Sequence, residues 1–184
     1  MTKKILIHAC CGPCAVAYFD GFLEDNDNLD FEATLLWHNP NIHPTTEYNS
    51  RKASLEEFAK DRNLDLIIHD YYGLLEHTAK SMQDISKRCA ACYLLRLSYA
   101  AELAKERGMG YFTTTLLASP YQGFDQITRF GNKLADMHGL TFVVQDYRAG
   151  FQQSINKARK MGLYIQKYCG CIFSEEERYR KKKR

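Results

Sequence analysis

Along this 184-residue chain, short unbroken apolar runs alternate with longer segments whose apolar positions recur at helical spacing. The runs lie at 4–9, 31–37, 64–68, 111–116 and 141–144. Apolar runs of strand length belong to strands covered on both faces. Helices are predicted at 13–23, 45–61, 74–82, 88–107, 124–137 and 154–161, with a charged last helix capped by Ser174. Pro13 suits a first helical turn, where its missing N–H costs nothing. Thr45 or Thr46 is placed to cap the second helix, and Gly108 to stop the long fourth one. Strands alternating with helices predict an α/β fold: one three-layer domain with a five-stranded parallel sheet, strand one central, and right-handed crossovers. No repeat or linker divides residues 1–184, which read as a single domain ending in a basic tail at 178–184.

Composition changes this picture little. The net charge of +3 is too mild to argue for nucleic acid alone. The basic tail at 178–184 fits either a solvated terminus or a phosphate contact. No run approaches the ~20 apolar residues of a membrane span, and no signal peptide is visible. A cytoplasmic protein with no membrane partner is expected.

The candidate chemistry is sulfur. All seven cysteines fall in three clusters: Cys10-Cys11-Gly12-Pro13-Cys14, Cys89-x-x-Cys92 and Cys169-Gly170-Cys171. In a reducing compartment such clusters are metal ligands or redox groups more often than disulfides. The first cluster occupies the turn from strand one to helix one, at the sheet edge where such folds bind ligands. Cys89 and Cys92 share one face in the first turn of a helix, where the dipole favours a thiolate. A turn with a permissive glycine can point Cys169 and Cys171 the same way. A closed structural zinc takes four ligands, and so typically does a [4Fe–4S] cluster. The arithmetic therefore suggests a closed four-thiolate cluster beside an open three-thiolate metal site. Spacing does not fix the split; one assignment puts Cys10, Cys11, Cys89 and Cys92 on the cluster and Cys14, Cys169 and Cys171 on the second metal, with the three N-terminal thiols open to permutation. The turn has a single glycine and the chain no phosphate-loop pattern, which argues against nucleotide binding there.

Further motifs join these: Asn39-Pro40-Asn41-Ile42-His43-Pro44 with Glu47-Tyr48, Arg88 beside the second cysteine pair with Arg96 following it, Thr113-Thr114-Thr115-Leu116 followed by Ser119-Pro120, and Tyr168-Cys169-Gly170-Cys171-Ile172-Phe173-Ser174. Together with His8-Ala9 before the first cluster, they resemble the cobalamin-independent QueH family of epoxyqueuosine reductases. The resemblance implies an adenine-nucleotide-hydrolase-like (HUP-like) fold and a [4Fe–4S] cluster. It implies two-electron removal of the epoxide oxygen of epoxyqueuosine at the tRNA wobble position, giving queuosine. An additional iron, or another divalent metal, would act on the epoxide oxygen. An external electron donor such as a ferredoxin or flavodoxin is implied as a partner. Tyr121 and Asp125 are taken as catalytic proton donors, with Asp146 and His43 as further candidates. His43, Glu47, Tyr48, Arg88, Arg96 and Ser119 are taken as substrate contacts. Tyr71, Tyr72 and Trp37 are candidate stacking rings, and Lys52 a candidate phosphate contact. His8 is read as a core histidine or a hydrogen-bond donor to a cluster sulfur. The rivals are an iron–sulfur enzyme transferring sulfur to tRNA and a zinc-stabilised RNA-binding module.

Overall fold

A computed structural model describes residues 2–24 and 31–180. The predicted polar loop at 25–28 and the last four residues of the basic tail lie outside the described residues. In chain order the elements are β1 (Lys3–His8), α1 (Gly12–Glu24), β2 (Phe31–Trp37), α2 (Thr45–Asp61), β3 (Asp65–Ile68) and α3 (Leu74–Gln83). They continue with α4 (Arg88–Glu106), β4 (Tyr111–Thr114), α5 (Phe124–His138), β5 (Thr141–Phe142), α6 (Phe151–Lys160) and α7 (Ile172–Tyr179). The strands pair in parallel in the order β3-β2-β1-β4-β5, with β1 central.

Two apolar cores flank the sheet. Ile5, Ile7, Leu35 and Trp37 pack with α1, α2 and α6, whereas Leu6 and Leu36 face the core built with α4 and α5. That alternation follows from the period of a strand and makes the domain three-layered. After β1 the chain winds outward through β2 and β3, then returns to place β4 on β1's other side. The carboxyl ends of β1 and β4 therefore form the topological switch point, where open α/β sheets keep their ligand crevice.

Several predicted details differ. β4 ends at Thr114 instead of residue 116, because the Thr114 hydroxyl accepts from Leu116 N at 3.2 Å and starts a 3-10 turn over Thr115–Ala118. β5 stops at Phe142, where Thr113 Oγ1 takes the Val143 carbonyl at 2.8 Å. Neither Thr45 nor Thr46 caps α2, which follows Pro44 with no side-chain cap. α6 begins at Phe151, three residues before the predicted Ser154. The N-cap of α7 is Cys171, whose sulfur accepts from Ser174 N at 3.4 Å, so Ser174 lies inside the helix.

Candidate metal centre at the switch point

The turn after β1 is held from three sides. Ala9 N donates to Leu36 O at 2.9 Å, Asn39 Nδ2 to Ala9 O at 2.9 Å, and Cys10 N to Thr115 Oγ1 at 3.4 Å. α1 can start at Gly12 only because that residue has no side chain. A Cβ there would stand 2.5 Å from Ser54 Oγ and 2.6 Å from Ser54 O on α2. This close approach folds the three N-terminal sulfurs together. The Sγ atoms of Cys10, Cys11 and Cys14 lie within 4.8 Å of one another, and all three residues are buried. Cys14 N, in the first turn of α1, donates to Cys11 Sγ at 3.4 Å. Hydrogen bonds from the Cys11 and Cys14 thiols hold Cys10 well below the ordinary thiol range. Burial pushes Cys11 up, and the bond to Cys10 pushes Cys14 up.

The remaining sulfurs form a second group. Cys89 and Cys92 lie in the first turn of α4, with Cys89 exposed and Cys92 buried. Burial pushes the Cys92 thiol to about 12, and the charges it feels include Cys169, Cys171 and Cys89. The Cys169–Cys171 turn is clamped onto α2. Arg51 donates from Nη1 to Cys169 O at 2.9 Å and from Nη2 to Tyr168 O at 2.8 Å. Its Nε pairs with Glu47 Oε1 at 2.6 Å, and the Tyr164 hydroxyl binds the other oxygen of Glu47. His43 N donates to Gly170 O at 2.8 Å, and the Tyr168 hydroxyl donates to His43 O at 2.6 Å. Gly170 takes φ +133°, a conformation that side chains rarely adopt, and so turns the chain between the two thiols.

A cavity of about 840 Å³ opens over both groups. Cys10, Cys14 and Cys169 show in its wall, with Arg51, Arg96 and Ser119. Tyr121, Gln122, Phe151, Gln152 and Gln166 line its sides, and Arg159, Lys167 and Arg178 also line it. Gln166 Nε2 reaches Cys14 Sγ at 3.5 Å, and Gln122 Nε2 reaches Cys169 Sγ at 3.4 Å. All seven cysteines are free thiols. The buried sulfurs of Cys10, Cys11 and Cys14, gathered at chelating distance with the Cys14 amide aimed at Cys11, fit a thiophilic metal or an iron–sulfur group.

The predicted site residues scatter around this cavity. Arg96, Ser119 and Tyr121 line it, Tyr121 being 82% exposed with its ring 5.9 Å from Phe151. Asp125 is exposed in the first turn of α5, does not line the cavity and adds to the field at Arg148. Asp146 is likewise held by Arg148, at 2.6 Å. Arg88 pairs with Glu177 and does not line the cavity. His43, Glu47 and Tyr48 are buried behind the site: His43 Nε2 faces Pro40 O at 3.0 Å, and Tyr48 bridges Trp37 and Asp70. Trp37 is a core residue. Lys52 pairs with Asp70 at 2.6 Å. Tyr71 borders a separate groove and Tyr72 packs edge-on against His43. His8 is fully buried, with Nδ1 2.8 Å from Thr114 Oγ1 and Nε2 donating to His38 O at 3.1 Å. Its ring thus takes the core role, and burial keeps it neutral with a pKa near 4. The three N-terminal sulfurs form one triangle, a grouping that spacing alone left open. Arg51 was missed from sequence, although its position four residues after Glu47 is a visible pairing signal. Gln152, Gln166, Arg159 and Lys167 carry no local signal.

A family model described as "Epoxyqueuosine reductase QueH" matches residues 5–177. An epoxyqueuosine reductase QueH of Dehalococcoides mccartyi is 32% identical over 98% of this chain and 97% of its own length. Its counterpart in Thermotoga maritima is 30% identical over 96% of this chain and 93% of its own length. Among solved structures, a U34-tRNA thiolase NcsA from Methanococcus maripaludis with its [4Fe-4S] cluster superposes with a TM-score of 0.47 at 12% identity. It covers 92% of this chain and 76% of its own.

Proposed function

This chain belongs to the epoxyqueuosine reductase QueH family and is an oxidoreductase; from that premise we propose that it reduces epoxyqueuosine at the tRNA wobble position to queuosine, using a [4Fe–4S] cluster and a mononuclear metal. Overall, two electrons and two protons enter, both C–O bonds of the epoxide break, the oxygen leaves as water, and a cyclopentene remains. The observation that carries the reading is the buried triangle of Cys10, Cys11 and Cys14 at the switch point, beneath a cavity wide enough for a modified nucleoside. The buried triangle of N-terminal sulfurs favours a grouping other than the first assignment, which spacing left open. Cys89, Cys92, Cys169 and Cys171 would hold the cluster, and Cys10, Cys11 and Cys14 the single metal. When bound, a cluster supplies electrons one at a time and an open metal a Lewis acid for the departing oxygen.

The chain's own residues supply the rest. Gln152, Gln166 and Ser119 offer hydrogen-bonding groups along the cavity for the sugar-like ring and the base. Tyr121 and Phe151 offer rings on which an extruded base can stack. Tyr121 is the better placed of the two predicted proton donors, because its hydroxyl belongs to a cavity residue and Asp125 does not line the cavity. Glu47, through Arg51, and His43 act from behind, by fixing the turn that carries Cys169 and Cys171. No helix among the described residues is long and apolar enough to cross a membrane. A small soluble electron carrier, such as a ferredoxin or flavodoxin, is the assigned reductant.

Anaerobic purification with metal analysis tests this. About five irons and about four sulfides per chain are expected. A Cys14→Ala variant should lose about one iron and keep its sulfide, whereas Cys92→Ala should lose the sulfide. Zinc without sulfide in the wild-type protein overturns the proposal.

A further inference from the structure

Arg96 is a buried cation without an acid. It lies on α4 one turn after Cys92 and is 2% exposed. Its Nε donates to the Cys92 carbonyl at 3.3 Å. Its Nη2 is buried and has no hydrogen-bond partner, and no carboxylate forms an ion pair with it among the described residues. Arg51, equally buried, shows what a satisfied guanidinium looks like here: a carboxylate and two carbonyls meet it. A guanidinium removed from water is costly unless an opposite charge compensates it.

Sulfur is the compensating group within reach. Burial works against the charge on Arg96, and the charges of Cys92, Cys169 and Cys10 work for it. Those three thiols come from both sulfur groups, and Cys10 and Cys169 share the cavity wall with Arg96. The ring beside it carries no negative charge: Tyr93 offers only its face at 5.9 Å. A thiol that ligates a metal does so as the thiolate anion.

We propose that Arg96 is the counter-ion of the sulfur centre, set between the two thiol groups so that its charge is balanced when the thiols are ligated as thiolates. This rests on the reading that the thiols carry a redox centre. An electron arriving from the external carrier makes that centre more negative, and a fixed guanidinium beside it in a low-dielectric site favours the reduced form. Arg96 is therefore a tuning residue for electron uptake, acting through the ligands.

The test compares Arg96→Gln and Arg96→Lys with wild type as anaerobically prepared holoprotein, counting iron and sulfide and measuring the midpoint potential by dye titration followed by electron paramagnetic resonance. Arg96→Gln should load like wild type and move to a more negative potential, and Arg96→Lys should shift less. If Arg96→Gln fails to load, loading of Arg96→Lys to wild-type content is the supporting result, because lysine restores charge and not shape. An unchanged potential in Arg96→Gln, an equal shift in both variants, or equal loss of the centre in both overturns the proposal. Zinc without sulfide in the unmutated chain would instead overturn the redox reading itself, and it is read without any Arg96 variant.

Discussion

At Arg51 two structural tasks meet in one side chain. It neutralises Glu47 inside the protein, and it holds the carbonyls of Tyr168 and Cys169 so that Cys169 faces the cavity. Replacing it with methionine strands the Glu47 carboxylate, left with only the Tyr164 hydroxyl. Removing one partner of a buried pair costs about 3–5 kcal/mol. Arg51→Met should therefore lose that much in urea unfolding, and its anaerobic iron content should fall because the Cys169 turn loses its clamp. Wild-type stability in this variant would show the pair to be dispensable. The four-residue spacing from Glu47 is visible in the sequence. That both groups are buried is not, since their cover comes from residues more than a hundred positions away.

Among the elements, α3 contributes a pH limit. It lays His77 against His43, with ring centroids 5.3 Å apart, and near Phe173 of α7. Burial lowers the pKa of His77 from 6.5 to about 4, and that of His38 to about 3. The folded state therefore resists protonation that the unfolded chain accepts. The stability involved is fully present above pH 6.5 and is lost as pH falls from there through about 4. For His77 alone the full loss is up to about 3 kcal/mol. Between pH 7 and 4.5, His77→Leu should lose about 2–3 kcal/mol less stability than wild type in urea titrations. Parallel losses in the two proteins would refute the assignment. α3 itself was predicted almost to the residue, whereas the burial of His77 depends on how α3 packs on α4 and α7. Two of the missed boundaries, at β4 and α7, fall where a threonine hydroxyl or a cysteine sulfur captures a backbone amide. Such competition is decided by rotamers and not by hydrophobic period.

Across the whole molecule, charge is distributed unevenly. Some cations elsewhere pair with acids, as in Lys52–Asp70, Lys157–Asp20 and Arg148–Asp146. Arg159, Lys167 and Arg178 line the cavity and are exposed, and none of them forms an ion pair with a carboxylate among the described residues. If they meet the phosphates of an anticodon loop, each contributes about 0.7 to the slope of log affinity against log salt. Changing all three to glutamine should lower the slope for tRNA binding by about 2, measured as a salt series on the holoprotein. An unchanged slope would remove them from the interface. The sequence by itself determined the order of strands and helices, the central place of β1, and the gathering of all seven cysteines into three clusters suited to a metal. Period and cysteine spacing are local properties, readable without knowing what lies across the fold. Only the tertiary structure decided that Cys10, Cys11 and Cys14 meet as one triangle, that Arg51 and Arg96 are inside, and that Asp125 and Arg88 stay off the cavity wall. Those facts hang on contacts such as Cys10 to Thr115 and Arg51 to Cys169, 105 and 118 residues apart. Which groups meet over such separations is set by crossovers and close packing.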